Sequence, residues 1–356
     1  MFSLITILKE SRLALDLKIK DIARLTQIDQ AIISKIEAGN RTPTEKQLPT
    51  LAEAYQLNYG ELRKYWVAQR LERILQYEQN RSEIMMVLES RVEYLTGKQP
   101  LNVPSLSDEL KSQLEVIDDL RKQWQDKKPL DALQLAKMKD YFKIDYTFES
   151  NRIEGNTLTL QETQLIVNEG LTIGGKTMNE HLEAINHAEA IELVWDLVAN
   201  KEDISKRNLL DLHTLILKSI DTRNAGKYRT VPVMISGSAH KPPQPYLIDK
   251  LMEDYFLHYH LHAKAMHPVI LAAEMHERLV SIHPFIDGNG RTSRLVMNLV
   301  LLKNGYTIAN LKGDASSRIA YYQALEKVQI DNEPRFFYRL VADATEQSLK
   351  AHLALT

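Results

Sequence analysis

Two apolar helical runs, residues 270–282 and 291–302, are separated only by the stretch His283-Pro284-Phe285-Ile286-Asp287-Gly288-Asn289-Gly290. This junction restricts the fold more than any other part of the chain. The first run is apolar enough to be buried and delivers His283 to a helix end, where Pro284 stops it. The two glycines permit a sharp turn into the second run. Phe285 is the apolar side chain that anchors the loop on the core. The pattern is therefore helix, tight loop, helix, with polar groups gathered where two helices end and begin.

The residue types in that loop suit the handling of phosphates. Asp287 is a hard oxygen ligand of the kind that holds Mg²⁺, which binds one or two carboxylates together with phosphate oxygens. Gly288, Asn289 and Gly290 let backbone N–H groups face an anion with no Cβ in the way, at the positive end of the following helix. Arg291 and Arg294, three apart, project from one side of the first turn, and each can grip phosphate oxygens in a bidentate way. Taken singly, a histidine at a helix end is an ordinary capped residue and a Gly-x-Gly is an ordinary turn. Two arginines at a helix N-terminus oppose the helix dipole unless an anion is bound, so together they are hard to explain as scaffold.

The rest of the 356-residue chain reads as mainly α, in more than one unit, with 44% hydrophobic residues to build cores. Residues 1–66 read as short helices. Asp29 is an N-cap for a helix that closes at Gly39, and Thr44 caps the next. Residues 61–96 lack Gly and Pro, and Gly97 through Pro104 break that run. The expected organisation is a front domain at 1–66, a helical linker at 67–104 and a main domain at 105–356. Within the last, residues 226–245 differ: 230–235 is β-prone and is followed by Gly237, Pro242, Pro243 and Pro245, which predicts a small β-hairpin. Cysteine is absent, which excludes disulfides and thiolate catalysis and fits a reducing, cytoplasmic setting. No secretory leader or membrane span is expected. Residues 1–70 hold 11 Lys/Arg against 8 Asp/Glu, a slight excess that permits nucleic-acid contact without arguing for it.

Residues 283–294 match, position for position, the core motif of the Fic family, His-x-Phe-x-(Asp/Glu)-Gly-Asn-Gly-Arg-x-x-Arg. The resemblance spans about residues 105–350. It implies an all-helical Fic core that transfers AMP from ATP to a hydroxyl of a target protein. His283 is then the general base, Asp287 holds Mg²⁺ (or Mn²⁺), the backbone of Gly288, Asn289 and Gly290 cradles phosphates, and Arg291 and Arg294 hold the β- and γ-phosphates. It also implies that one or both of Tyr321 and Tyr322 line the adenine pocket, though both fit equally as core aromatics of a helix at 316–328.

A second stretch, Ser150-Asn151-Arg152-Ile153-Glu154-Gly155-Asn156, ends a helical run at 132–149. Ser150 and Glu154 share one face, and Gly155 ends the helix. By itself this reads as a solvated carboxylate and a C-cap. Beside the first motif it resembles the Fic inhibitory motif, (Ser/Thr)-x-x-x-Glu-(Gly/Asn), in the class whose inhibitory helix precedes the core. The resemblance implies that Glu154 pairs with Arg294 and blocks productive placement of the γ-phosphate. In animal members of the family the same Glu also supports removal of AMP, which assigns Glu154 a second role. The predicted hairpin resembles the Fic flap, in which Thr230, Val231, Pro232 and Val233 add a strand to an extended target segment.

Residues 23–39 resemble the helix-turn-helix of phage repressors. The apolar positions are Ala23, Ile28, Ile33 and Ile36, and the closing segment is Glu37-Ala38-Gly39. A five-helix domain is expected, with Gln30, Ala31, Ser34 and Lys35 facing DNA bases or phosphates. Ile19 stands where a phosphate-binding Gln is usual, and Gln27 where a turn glycine is usual. The alternative is a helical module for dimerisation or target docking, which leaves room for a homo-oligomer. The sequence thus points to an autoinhibited AMP-transferase with ATP, a target protein and DNA as partners. The alternatives are transfer of another nucleotide, or a transcription regulator that uses the Fic domain as a nucleotide sensor.

Overall fold

A computed structural model describes residues 4–78, 81, 84, 104–235 and 237–356. These fall into two compact units, one within Met1–Gln99 and one within Pro100–Thr356. Of the expected linker at 67–104, residues 79–80, 82–83 and 85–103 lie outside the described residues.

Among the described residues, the helices of the first unit are α1 (Leu4–Ala14), α2 (Ile19–Thr26), α3 (Gln30–Glu37), α4 (Leu48–Ala54) and α5 (Tyr59–Leu75). The side chain of Asp29 accepts from the N–H groups of Ala31 and Ile32 and so starts α3. Between α2 and α3 the backbone of Gln27 takes φ +54°, the left-handed turn the motif requires, without a glycine. Thr44 caps a short 3₁₀ turn, Glu45–Gln47, that leads into α4. Ile33 and Ile36 are buried, and Ala23 and Ile28 pack against the same core. Helix α5 runs through position 66, and Trp66 donates its indole N–H to the carbonyl of Pro43 at 2.7 Å. A buried ionic cluster forms where α3 ends: Arg12 binds both oxygens of Glu37 (2.8 and 2.9 Å), and Tyr55 donates to Glu37 at 2.7 Å.

The second unit has ten helices: α6 (Asp108–Asp126), α7 (Ala132–Ile153), α8 (Leu160–Glu169), α9 (Met178–Ala199), α10 (Lys206–Ile216), α11 (Ile248–His262), α12 (Pro268–Ile282), α13 (Asn289–Lys303), α14 (Ala315–Asp331) and α15 (Arg335–Leu353). Most start on a polar cap: Ser107, Asp131, Thr159, Thr177, Ser205 and Asp314 each accept a backbone N–H. Helices α12 and α13 are buried on nearly every face, as their apolar sequences demand, and pack against each other. Helix α13 also touches α7, α9 and α10, which makes it the central rod of the unit.

The predicted β-hairpin does not form: among the described residues there is no strand. Residues 229–235 and 237–244 are an irregular arm. Pro232, Pro242 and Pro243 have no N–H to give a ladder. The arm is instead fixed by side chains, as described below. No helix among the described residues is long and apolar enough to cross a membrane.

Removing Glu37 would strand the buried Arg12 charge. Glu37→Ala is expected to destabilise the first unit by about 3 kcal/mol. Calorimetric unfolding of the full chain should show that unit's transition fall while the second unit's stays in place.

Candidate active site

The loop between α12 and α13 is held by its own sequence. His283 caps α12 in the left-handed conformation (φ +50°), its N–H bonded to the carbonyl of Leu279 at 2.9 Å, and Pro284 blocks continuation. Phe285 is fully buried and stacks flat on His213, ring centroids 3.6 Å apart. The Asn289 side chain closes the turn: its amide oxygen accepts from the N–H of Phe285 and its amide donates to the Phe285 carbonyl, both at 3.0 Å. Asn289 therefore braces the loop from within, and it is the backbone around it that is free to meet a ligand. Gly288, at φ +76°, begins α13 in a conformation other residues resist.

His283 Nδ1 lies 3.2 Å from the carbonyl of Val280. A carbonyl only accepts, so Nδ1 carries the hydrogen and Nε2 is left with its lone pair. Burial holds the imidazole pKa below its ordinary value, with Arg229 and His240 adding to the effect against the Val280 bond and Glu154. The group is thus neutral and basic at neutral pH.

Both arginines of the motif are already engaged. Arg294 has 0% exposure. Its Nε donates to Ser150 Oγ (2.9 Å), its Nη2 to the Ser150 carbonyl (2.9 Å) and to Glu154 Oε1 (2.7 Å), and its Nη1 reaches Tyr321 Oη (3.4 Å). Arg291 pairs with Glu183 of α9 (3.1 Å) and with Asp287 (3.2 Å). Glu183 also accepts from Asn156 (2.9 Å), just past the end of α7. Ser150 and Glu154 thus both meet Arg294, the Glu154 contact being the one the resemblance implies. Glu183, which the sequence reading missed, does the same for Arg291.

Glu154 sits over the start of α13. A Cβ on Gly290 would overlap its Oε1, so only glycine leaves room for the carboxylate there. The carboxylate occupies the anion position at the N-terminus of α13 while keeping 31% side-chain exposure. Burial would raise its pKa, but Arg294, then Arg291 and the hydrogen bond to Arg294, outweigh this and hold it below the ordinary value.

Two further residues tie the site together. His213 accepts the Gly226 N–H at Nδ1 (2.9 Å) and donates from Nε2 to the Asp287 carbonyl (2.9 Å), with burial lowering its pKa to about 4. Arg229 donates to the carbonyls of His283 (2.7 Å), Val231 (3.0 Å) and Pro243 (2.6 Å), and its own N–H bonds the Pro284 carbonyl (2.8 Å). It clasps the irregular arm to the catalytic loop. Along that arm Thr230, Val231 and Pro232 are exposed and Val233 is partly so, while Met234 is 94% exposed. The two tyrosines differ. Tyr321 is buried beneath Arg294 and also meets His276 (3.2 Å); Tyr322, 44% exposed, bonds the Ile153 carbonyl (3.1 Å) and offers an open face.

Helix, loop and polar cluster together define a Fic domain. Residues 203–301 match the Fic/DOC family and residues 8–62 a helix-turn-helix family. The chain therefore carries a Fic domain with a helix-turn-helix domain ahead of it. Among curated proteins it is similar to the protein adenylyltransferase Fic of Drosophila melanogaster (37% identity over 227 residues). The match covers 63% of this chain and 44% of that protein. The corresponding Drosophila virilis protein is 36% identical over the same length, so the chain spans less than half of these relatives. Among solved structures it is similar to a Fic-domain signalling protein from Bacteroides thetaiotaomicron (TM-score 0.63, 27% identity, covering 67% of this chain and 96% of that one). It is also similar to Fic-1 of C. elegans (TM-score 0.62, 25% identity, covering 96% and 98%).

Because the folded Glu154 carboxyl is held below its ordinary value of 4.5, its share of stability is fully present above that pH. The share is lost as pH falls through the lower folded value. Glu154→Gln is expected to remove that component, so the stability difference between wild type and variant should shrink on acidification below about pH 4.5. Parallel thermal denaturation across that range measures it.

Proposed function

We propose that the Fic domain is an autoinhibited protein adenylyltransferase that moves AMP from ATP to a Ser, Thr or Tyr hydroxyl of a target protein. The observation that carries this reading is the Glu154 carboxylate seated between Arg294 and Gly290, where a phosphate group would otherwise bind. With Glu154 displaced, Arg294 and Arg291 take the β- and γ-phosphates and the N-terminus of α13, at Gly288 to Gly290, takes their charge. His283 Nε2 accepts the acceptor's proton as its oxygen bonds the α-phosphorus in line. The bond from that phosphorus to the bridging oxygen breaks, and pyrophosphate leaves. The protein supplies positioning and charge compensation. Tyr322 offers its face to the adenine, and Tyr321 fixes Arg294 from below.

Asp287 is 63% exposed and, apart from its contact with Arg291, faces solvent at the loop. Among the described residues no group of three metal-ligating side chains forms. A single exposed carboxylate fits Mg²⁺ (or Mn²⁺) arriving with the nucleotide, since such ions keep phosphate and water ligands. The ion would supply charge compensation for the phosphates.

The arm at 230–233 presents main chain to an extended target segment, and the lack of strand pairing within the arm favours an added strand. The partial exposure of Glu154 also suits the reverse reaction, in which the carboxylate positions a water to remove AMP. In the first domain, Gln30, Ala31, Ser34 and Lys35 form one exposed face of α3, which supports DNA reading in the major groove.

Full-length wild type, Glu154→Gly and the doubly substituted Glu154→Gly/His283→Ala protein, each given labelled ATP and Mg²⁺, test the proposal. Glu154→Gly should self-label far more than wild type, and the double variant should fall by roughly 10²-fold or more from it. Equal labelling of wild type and Glu154→Gly removes the brake. Labelling that survives His283→Ala removes the proposed base, and UTP outcompeting ATP would reassign the nucleotide.

A further inference from the structure

A cavity of about 660 Å³ opens at the opposite end of α7 and α13 from the candidate active site. Leu302 on its wall lies twelve residues along α13 from Gly290, roughly 18 Å at the rise of a helix. The cavity is therefore separate from the nucleotide site, and its volume lies in the range of small-molecule sites.

Its walls are flat and aromatic. His352 stacks face to face on Phe142, ring centroids 3.5 Å apart, and Trp124 meets His352 edge-on at 5.3 Å. Trp195 also lines the cavity. Burial lowers the His352 pKa to about 4, and its Nδ1 lies 2.8 Å from the Ser348 carbonyl, so this wall is uncharged at neutral pH.

The charge is confined to two lysines. The Lys128 ammonium lies 5.2 Å from the ring centre of Trp124, and that of Lys139 lies 5.2 Å from the ring centre of Trp195. No aspartate or glutamate lines the cavity. Neither lysine pairs with a carboxylate among the described residues, whereas the neighbouring Lys143 on the same helix as Lys139 pairs with Asp140 and Glu192. An apolar slot walled by aromatic rings and flanked by two unneutralised cations is complementary to one kind of ligand: a planar apolar body with an anionic end.

We propose that this cavity binds a small planar aromatic carboxylic acid, its ring against Trp195 and the Trp124–His352–Phe142 wall and its carboxylate between Lys128 and Lys139. Leu135, Met138, Lys139 and Phe142 all belong to α7, so the bound acid rests on the helix that carries Ser150 and Glu154.

Calorimetric titration of the full chain with 2-naphthoate, 2-naphthylmethanol and 2-naphthylmethylamine tests the site. The carboxylate should bind one per chain, at least about tenfold more tightly than the neutral alcohol, with the ammonium compound weakest. Replacing both lysines, Lys128→Met with Lys139→Met, should bring the carboxylate down to the alcohol's affinity and leave the alcohol's binding in place. These are surface substitutions, so the retained alcohol binding also confirms folding. Equal affinity for carboxylate and alcohol overturns the assignment of an acid. A carboxylate preference that survives the double substitution overturns the location. Failure of all three compounds to bind, as when the chain's own residues or a second copy fill the cavity, overturns the proposal.

Discussion

The guanidinium of Arg294 sits at full burial in a helical core, and that single fact organises the second unit. A buried cation is tolerated only with its donors met and its charge balanced. The donors are met by Ser150 and Glu154 at the end of α7 and by Tyr321 on α14. Satisfying one side chain therefore fastens two peripheral helices to the central α13. The same donors are the ones a phosphate chain would use. On the proposed reading, stability and restraint would thus be supplied by the same atoms.

The irregular arm is coupled to the catalytic loop by an equally local cause. Arg229 holds the carbonyl of His283 with one nitrogen and two points of the arm with others. Where the arm lies and where the imidazole lies are consequently set by one rigid, planar group. On the proposed reading, binding a target along the arm and positioning the base would be parts of one geometry, so energy gained at the first could be used at the second.

What could be read from the sequence followed how each feature is encoded. Residues 283–294 were legible because helix stop, turn and helix start are written contiguously. Ser150 and Glu154 were legible from their spacing, and Arg294 as their partner only through a family resemblance, since 140 positions separate Glu154 from Arg294. The front domain was legible because Asp29, Gly39 and the four apolar positions fix its helices locally. His213, Glu183 and Arg229 were not. They act on backbone carbonyls or on partners far along the chain, and nothing in their neighbourhoods marks them. The expected hairpin failed for a related reason. The β-branched residues at 230–235 suit a strand, but the prolines remove the donors that strand pairing needs, and Arg229 satisfies the carbonyls instead. The Asn289 side chain closes the turn, a role the sequence did not mark, and this leaves untouched the reading of its backbone N–H as a phosphate contact.

The two arginines of the loop do not wait as bare positive charges. Arg294 is matched by Glu154, and Arg291 by Glu183 and Asp287. Three carboxylates against two guanidinium groups make the resting pocket a closed ion-exchange bed, loaded with counterions that the polypeptide itself provides. Such a pocket projects little field into solvent and does not draw in anions at large. On the proposed reading, a polyphosphate would enter by exchanging for resident carboxylates, and each carboxylate it displaced would have to find a new place on the protein. Selectivity for the right occupant then lies as much in where Glu154 and Glu183 go when released as in what the phosphates touch when they arrive.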